Sequence, residues 1–156
     1  MTFLSWRDDY VIGFDMIDAE HRYLFELINE FHDRHARGEA REDVVRVLNR
    51  LVAYAEQHFQ HEEGLMRTSA YPGLESQLAQ HEQLFSSVFA LNDRLAKGAL
   101  NIETDILRFL KGWLVGHIVK EDMQFGDFLQ RRAARLQKMA SAPLGQPAPG
   151  ADSGAA

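Results

Sequence analysis

Residues 43–66 read DVVRVLNRLVAYAEQHFQHEEGLM, and this stretch is the most informative part of the chain for the fold. Its apolar residues recur three and four positions apart, as they do on one face of an α-helix. His58 and Glu62 interrupt that face and, being four positions apart, point in the same direction. A polar side chain on a buried face needs a partner or has a chemical task. The stretch therefore predicts a long core helix that carries polar groups inward.

Three further blocks repeat the helical spacing on either side of this stretch. The first ends near Gly38, the third runs from Leu74 to Gly98, and the fourth starts near Ile102 and continues to about Lys138. The links between the blocks are short, and short links make neighbouring helices antiparallel. The sequence therefore predicts an all-α, antiparallel up-down-up-down four-helix bundle.

The ends of the chain differ from the bundle. Residues 1–17 carry Trp6, Tyr10 and Phe14 and are predicted to form an arm that lies on the bundle, so that bundle and arm together span 1–138. Residues 139–156 contain three of the four prolines and are predicted to be a disordered tail. Gly112 and Gly116 are expected to allow a close approach of a neighbouring segment.

Composition excludes several classes of protein. The chain has 156 residues and no cysteine, which rules out disulfide scaffolds, thiolate catalysis and cysteine-ligated metals. A formal charge of −6 argues against nucleic-acid and anionic-membrane partners. We find neither a membrane-length apolar run nor a signal-peptide pattern, and therefore expect a cytoplasmic protein.

Each predicted helix places one histidine on its apolar face: His21, His58, His81 and His117. Four buried imidazoles and a carboxylate would be costly unless they share a cation, so the pattern predicts a metal site in the bundle core. Imidazole and carboxylate without thiolate suit iron, zinc, manganese or copper. The spacing leaves two candidate carboxylates on the fourth helix and favours Glu121, four residues after His117, over Asp122. The other histidines are expected at the surface: His32, His35 and His61.

Ordered motifs extend this pattern. They are Trp6-x(6)-Gly13, IDAEH ending at His21, HFQHEE from His58, Tyr71-Pro72-Gly73, QHEQLF around His81, and WLVGHIVKED from Trp113 to Asp122. In these motifs the chain resembles the bacterial hemerythrins, non-haem di-iron oxygen carriers, over roughly residues 3–130. Bundles of this kind include myohemerythrin.

The resemblance implies a ligand set for two iron ions joined by an oxo or hydroxo bridge, with O2 as the exogenous ligand. Glu62 and Asp122 would bridge the irons. His21 and His58 would bind the iron that takes up O2, and His81 and His117 would bind the other. The residues implied to line an apolar O2 pocket are Phe59, Trp113, Leu114 and Ile118.

Gln77 departs from the family pattern, because the family has a third histidine ligand of the second iron at this position. Three outcomes are open: the Gln77 carbonyl ligates weakly, water completes the site with Gln77 bonded to it, or the second iron is lost or replaced. We favour water. In the first two outcomes exchangeable positions should ease oxidation of the irons and admit small anions such as azide.

The function implied by the resemblance is O2 binding for carriage, storage or delivery, without enzymatic turnover. The alternatives are a stand-alone sensor of O2, NO or redox state and a di-iron oxidase or iron-handling protein. Carboxylate-rich oxidase sites use paired Glu-x-x-His motifs, and the sequence contains none.

Overall fold

The computed structural model describes residues 2–99, 101–143 and 145. A short 3-10 turn at Asp8–Tyr10 precedes the helices. The helices are α1 (Asp15–Ala36), α2 (Arg41–Thr68), α3 (Leu74–Ala96), α4 (Ile102–His117) and α5 (Met123–Ala140), and a π-helical segment, Ile118–Asp122, joins α4 to α5 without a break. The predicted all-α four-helix bundle is confirmed, with α4, the π-helical segment and α5 forming its fourth rod.

The bundle closes because each helix packs against two neighbours. Helix α1 contacts α2 and α4, and α3 contacts α2 and α4. The first and third helices end next to Gly38 and Gly98, as predicted. Both glycines adopt positive φ angles, of 69° and 76°, which favour glycine after the end of a helix. The core is filled by fully buried aliphatic and aromatic side chains, among them Phe31, Leu48 and Ile106.

The N-terminal arm is fixed to the bundle by polar bonds as well as by packing. The Leu4 N–H donates to Asn29 Oδ1 and the Asn29 amide donates back to the Leu4 carbonyl, each at 2.8 Å. The buried Asp18 carboxylate accepts the N–H groups of Ile12 and Gly13 at 2.8 and 3.2 Å. These bonds hold the arm against α1 at its first turn and in its second half.

The boundaries of the arm and the tail differ from those predicted. Helix α1 begins at Asp15 and so includes residues 15–17 of the predicted arm. Helix α5 includes residues 139 and 140, since no helix-breaking residue occurs before Pro143. The rest of the predicted disordered tail lies mostly outside the described residues.

The close backbone approach in the bundle occurs at Gly126. A Cβ atom there would lie 2.3 Å from the Ile12 carbonyl oxygen, so the arm can cross α5 only over a glycine. The expectation for Gly112 and Gly116 is wrong, since no described atom of a neighbouring segment lies within 4 Å of a Cβ built at either. Within the described part of the chain, no helix is long and apolar enough to cross a membrane.

Candidate metal centre

The π-helical segment sets the position of Asp122. In a regular α-helix a residue five positions after His117 would point well away from it, whereas the wider π turn brings it back toward the same face. Asp122 is 1% exposed and its Oδ1 lies 3.1 Å from His117 Nε2. Glu121, which regular helical spacing favours, remains partly exposed. The structure therefore places Asp122 in the core cluster.

The four inward histidines meet in the core, one from each rod of the bundle. Their side chains are at most 3% exposed. His21, His58 and Glu62 form one group whose donor atoms could hold a metal ion, and Glu62, His81 and His117 form a second. The two groups share Glu62, as expected of two adjacent metal positions.

The two buried carboxylates each face both groups. Glu62 Oε1 lies 3.2 Å from His21 Nε2 and 3.0 Å from His58 Nε2, while its Oε2 lies 3.4 Å from His81 Nε2. Asp122 Oδ2 lies 3.2 Å from His21 Nε2, and its Oδ1 is the atom that faces His117. One oxygen of each carboxylate is thus directed to each half of the cluster, which is the arrangement that bridging ligands need.

Acceptors outside the cluster fix the tautomers of three imidazoles. The Nδ1 atom of His58 contacts Glu20 Oε2 at 2.6 Å, and that of His81 contacts Glu63 Oε1 at 2.9 Å. Carboxylate oxygens only accept, so each Nδ1 donates and each neutral ring presents an unprotonated Nε2 to the core.

His117 is oriented in the same way by Gln80, whose Oε1 lies 2.9 Å from His117 Nδ1. As a result, the Nε2 atoms of His81 and His117 face each other at 3.2 Å. When both rings are neutral, neither of these two atoms carries a proton. Two facing lone pairs repel each other, whereas a cation placed between them would be attracted to both. The geometry of this half therefore suits a metal ion.

Glu20 is a component of the centre that the sequence analysis did not single out. It is 8% exposed and accepts from two histidines, His58 and the surface-facing His61, the latter also at 2.6 Å. The signal was present in the spacing: Glu20 precedes Leu24 by four positions and Leu27 by seven, so it lies in the apolar stripe of α1. His61 is 41% exposed, as predicted for a surface residue.

Replacing Glu20 by Gln should weaken metal binding about 10–100-fold, the usual effect of removing an acceptor behind a ligating imidazole. The amide can accept from only one of the two histidines that the carboxylate now holds. Titration with Co2+ measures the affinity, and Glu26→Gln, an exposed glutamate on the same helix, is the control. An unchanged Co2+ affinity in Glu20→Gln would contradict this role.

The protonation equilibria of the cluster reflect the same contacts. Burial disfavours the charged form of His58, but the Glu62 charge and hydrogen bonds to Glu20 and Glu62 outweigh it and raise the pKa of His58 to about 10. Burial also opposes ionisation of Glu62, yet the nearby imidazoles, His58 first, hold the pKa of its carboxyl well below its usual range. Protons and metal ions therefore compete for the same buried atoms.

Unpaired buried atoms test whether a metal fits here. Four of the polar side-chain atoms that are buried without a hydrogen-bond partner in the described part of the chain belong to this core cluster: His21 Nδ1, Glu62 Oε2, Asp122 Oδ2 and Gln77 Oε1. Each such atom costs about 1–3 kcal/mol when left unsatisfied. A cation that shares the three oxygens removes their part of that cost, so the residues present fit a metal centre.

Apolar and aromatic side chains cover one side of the cluster. Phe59 stacks on His81 at 3.7 Å between ring centroids, and Trp113 stacks on His117 at 4.5 Å. Phe59, Trp113 and Leu114 also line a cavity of about 20 Å³ together with aliphatic residues of the core. Ile118, the fourth residue expected at the pocket, is fully buried but does not line this cavity.

Comparison with known proteins relates these features to a family. The family model described as the hemerythrin HHE cation binding domain matches residues 12–129. The bacteriohemerythrin of Stenotrophomonas maltophilia is 32% identical over 127 residues, covering 81% of this chain and 82% of that protein. The bacteriohemerythrin of Methylococcus capsulatus is 28% identical and covers 83% of this chain and 98% of its own length. A wild-type hemerythrin structure aligns with a TM-score of 0.74 at 28% identity, covering 81% of this chain and 98% of its own.

Proposed function

The chain belongs to the hemerythrin family, and on this premise we propose that it binds molecular oxygen at a non-haem di-iron centre in the bundle core. The observation that carries the proposal is the pair of donor groups that share Glu62. One iron would be held by His21 and His58, and the other by His81 and His117. Glu62 and Asp122 would bridge them, since each directs one oxygen to each half.

Ferrous iron bound by these residues would supply the electrons that O2 binding requires. The residues of the chain would bind the irons and exclude water from them. The acceptors Glu20, Glu63 and Gln80 bond the Nδ1 atoms of three histidines, which leaves the Nε2 atoms directed at the core. Such acceptors also raise the basicity of the imidazoles they contact.

The apolar side of the cluster has a second task, which is to exclude water. Phe59, Trp113, Leu114 and Ile118 form this side in the proposal. A dry surrounding withholds the protons and water that would help reduced oxygen to leave. The cavity beside Phe59, at about 20 Å³, exceeds the roughly 10–15 Å³ that one water-sized molecule needs.

The proposal is one of binding without turnover, in which O2 is the physiological ligand and NO or small anions such as azide could occupy the same position. The lack of any Glu-x-x-His motif in the sequence supports binding over an oxidase reaction. The cytoplasmic location belongs to the proposal and rests on the sequence alone.

Exposure of the iron-loaded, anaerobically reduced protein to O2 is expected to produce a visible absorption band that disappears when the gas is removed. About one O2 should be taken up per pair of irons. Zinc-loaded protein is the control, because zinc has no redox chemistry and should give no band. An iron-replete sample whose spectrum does not respond to O2 would contradict the proposed function.

A further inference from the structure

Gln77 is the buried residue of the centre whose task the proposed function leaves unassigned. It is 2% exposed and lies one turn before His81 on α3. Its amide Nε2 donates to Asp122 Oδ1 at 3.1 Å. Its Oε1 is buried and has no hydrogen-bond partner in the described chain. The amide is therefore anchored through its nitrogen, and its oxygen is the atom left free.

The Gln77 amide nitrogen is bonded within one half of the centre. Asp122 Oδ1, the atom that holds the Gln77 amide, also faces His117 Nε2 at 3.1 Å. His117 Nε2 in turn lies 3.2 Å from His81 Nε2. Gln77 is thus joined through Asp122 to the His81 and His117 half and not to the His21 and His58 half.

Instead of the water that the sequence analysis favours at this position, we propose that Gln77 Oε1 is a direct metal ligand of the His81 and His117 half, which makes that half richer in oxygen donors than the other. The inference rests on the proposed metal centre and deepens it. Two imidazoles, an oxygen from each bridging carboxylate and the Gln77 carbonyl would form this half, against two imidazoles and two carboxylate oxygens in the other.

The added donor has consequences for metal preference. Carbonyl and carboxylate oxygens suit harder ions such as Mn2+, whereas imidazole suits zinc, copper and iron. A neutral carbonyl is also a weaker donor than an imidazole toward the later metals. The His81 and His117 half should therefore discriminate less strongly against Mn2+ than the His21 and His58 half.

Substitutions at Gln77 separate the oxygen from the amide nitrogen. Gln77→Leu removes both, whereas Gln77→Glu keeps an oxygen donor and loses the N–H bond to Asp122. We expect Gln77→Leu to lower the affinity for one of the two Co2+ ions about tenfold, and Gln77→Glu to retain it. Gln77→His should raise Co2+ affinity at that position about tenfold more than Mn2+ affinity. Gln83→Leu, at an exposed position of α3, is the control.

The spectrum of bound Co2+ gives a readout that stability does not affect. Loss of a ligand intensifies the visible bands of Co2+, so Gln77→Leu should intensify the bands of one of the two ions. Unchanged Co2+ bands and affinities in Gln77→Leu would overturn direct ligation, and so would equal losses in Gln77→Leu and Gln77→Glu. If Gln77→Leu does not fold, the Co2+ and Mn2+ affinities of Gln77→Glu and Gln77→His are compared with those of the wild type instead. Binding of fewer than two Co2+ ions by wild type would instead count against the proposed function.

Discussion

Replacing Glu62 by alanine is expected to reduce the metal content from two ions per chain to at most one. Glu62 is fully buried and is the residue common to both donor groups. Two divalent cations about 3.5–4 Å apart, as in typical two-metal sites, repel by about 18 kcal/mol at an effective dielectric constant of about 20. Without Glu62, Asp122 is the one carboxylate left between the halves, and a single negative charge cannot offset that repulsion.

Metal analysis of purified protein after loading with iron or Co2+ measures this outcome directly. Glu56→Ala, an exposed glutamate on the same helix, should retain both ions. Glu62→Asp keeps the charge and should show an intermediate metal content. Two tightly bound ions in Glu62→Ala would mean that the bridge is not needed, and the assignment of Glu62 would be wrong.

The position of Asp122 shows where periodicity alone fails. Helical spacing from His117 favours Glu121, because a regular α-helix brings the fourth residue back to the same face. The structure inserts a π-helical segment at Ile118–Asp122, which turns the fifth residue inward instead. A π turn costs helix hydrogen-bond geometry and is retained where side chains gain from it. Here the gain lies in contacts with His21 and His117, on two different helices. Helical periodicity therefore could not predict the position of Asp122, whereas the resemblance of the motif from Trp113 to Asp122 to the family indicated it.

The inward histidines, in contrast, could be predicted from the periodicity of single helices. Each one lies in an apolar stripe of its own helix, and the bundle topology then requires the stripes to meet. Glu20 also lies in such a stripe, but its partners, His58 and His61, come from α2. The sequence could therefore have indicated that Glu20 is buried, although not which residues it would contact. Partner choice depends on the register between helices, which only the structure supplies.

Removal of the metal ions with a chelator is expected to lower the Tm of the protein by about 15–30 °C. A ligand at about 1,000 times its Kd stabilises the folded state by about 4 kcal/mol, so two ions contribute about 8 kcal/mol. In a protein of this size each kcal/mol corresponds to about 2–4 °C. We expect a large contribution because the proposed ions would satisfy buried oxygens that otherwise have no partner, namely Glu62 Oε2, Gln77 Oε1 and Asp122 Oδ2.

Thermal unfolding followed by circular dichroism, with and without chelator, measures the change. Glu62→Ala is the matched control. Its Tm before chelation should be lower than that of the wild type, and chelation should lower its Tm by less, because it holds fewer ions. Adding Zn2+ to the chelated wild type should restore the Tm, since stabilisation depends on coordination and not on redox chemistry. If chelation strips the metal but leaves the Tm unchanged, the cluster is stable as a hydrogen-bonded network. In that case protonation of His58, whose pKa is raised to about 10, compensates the buried carboxylates without a cation.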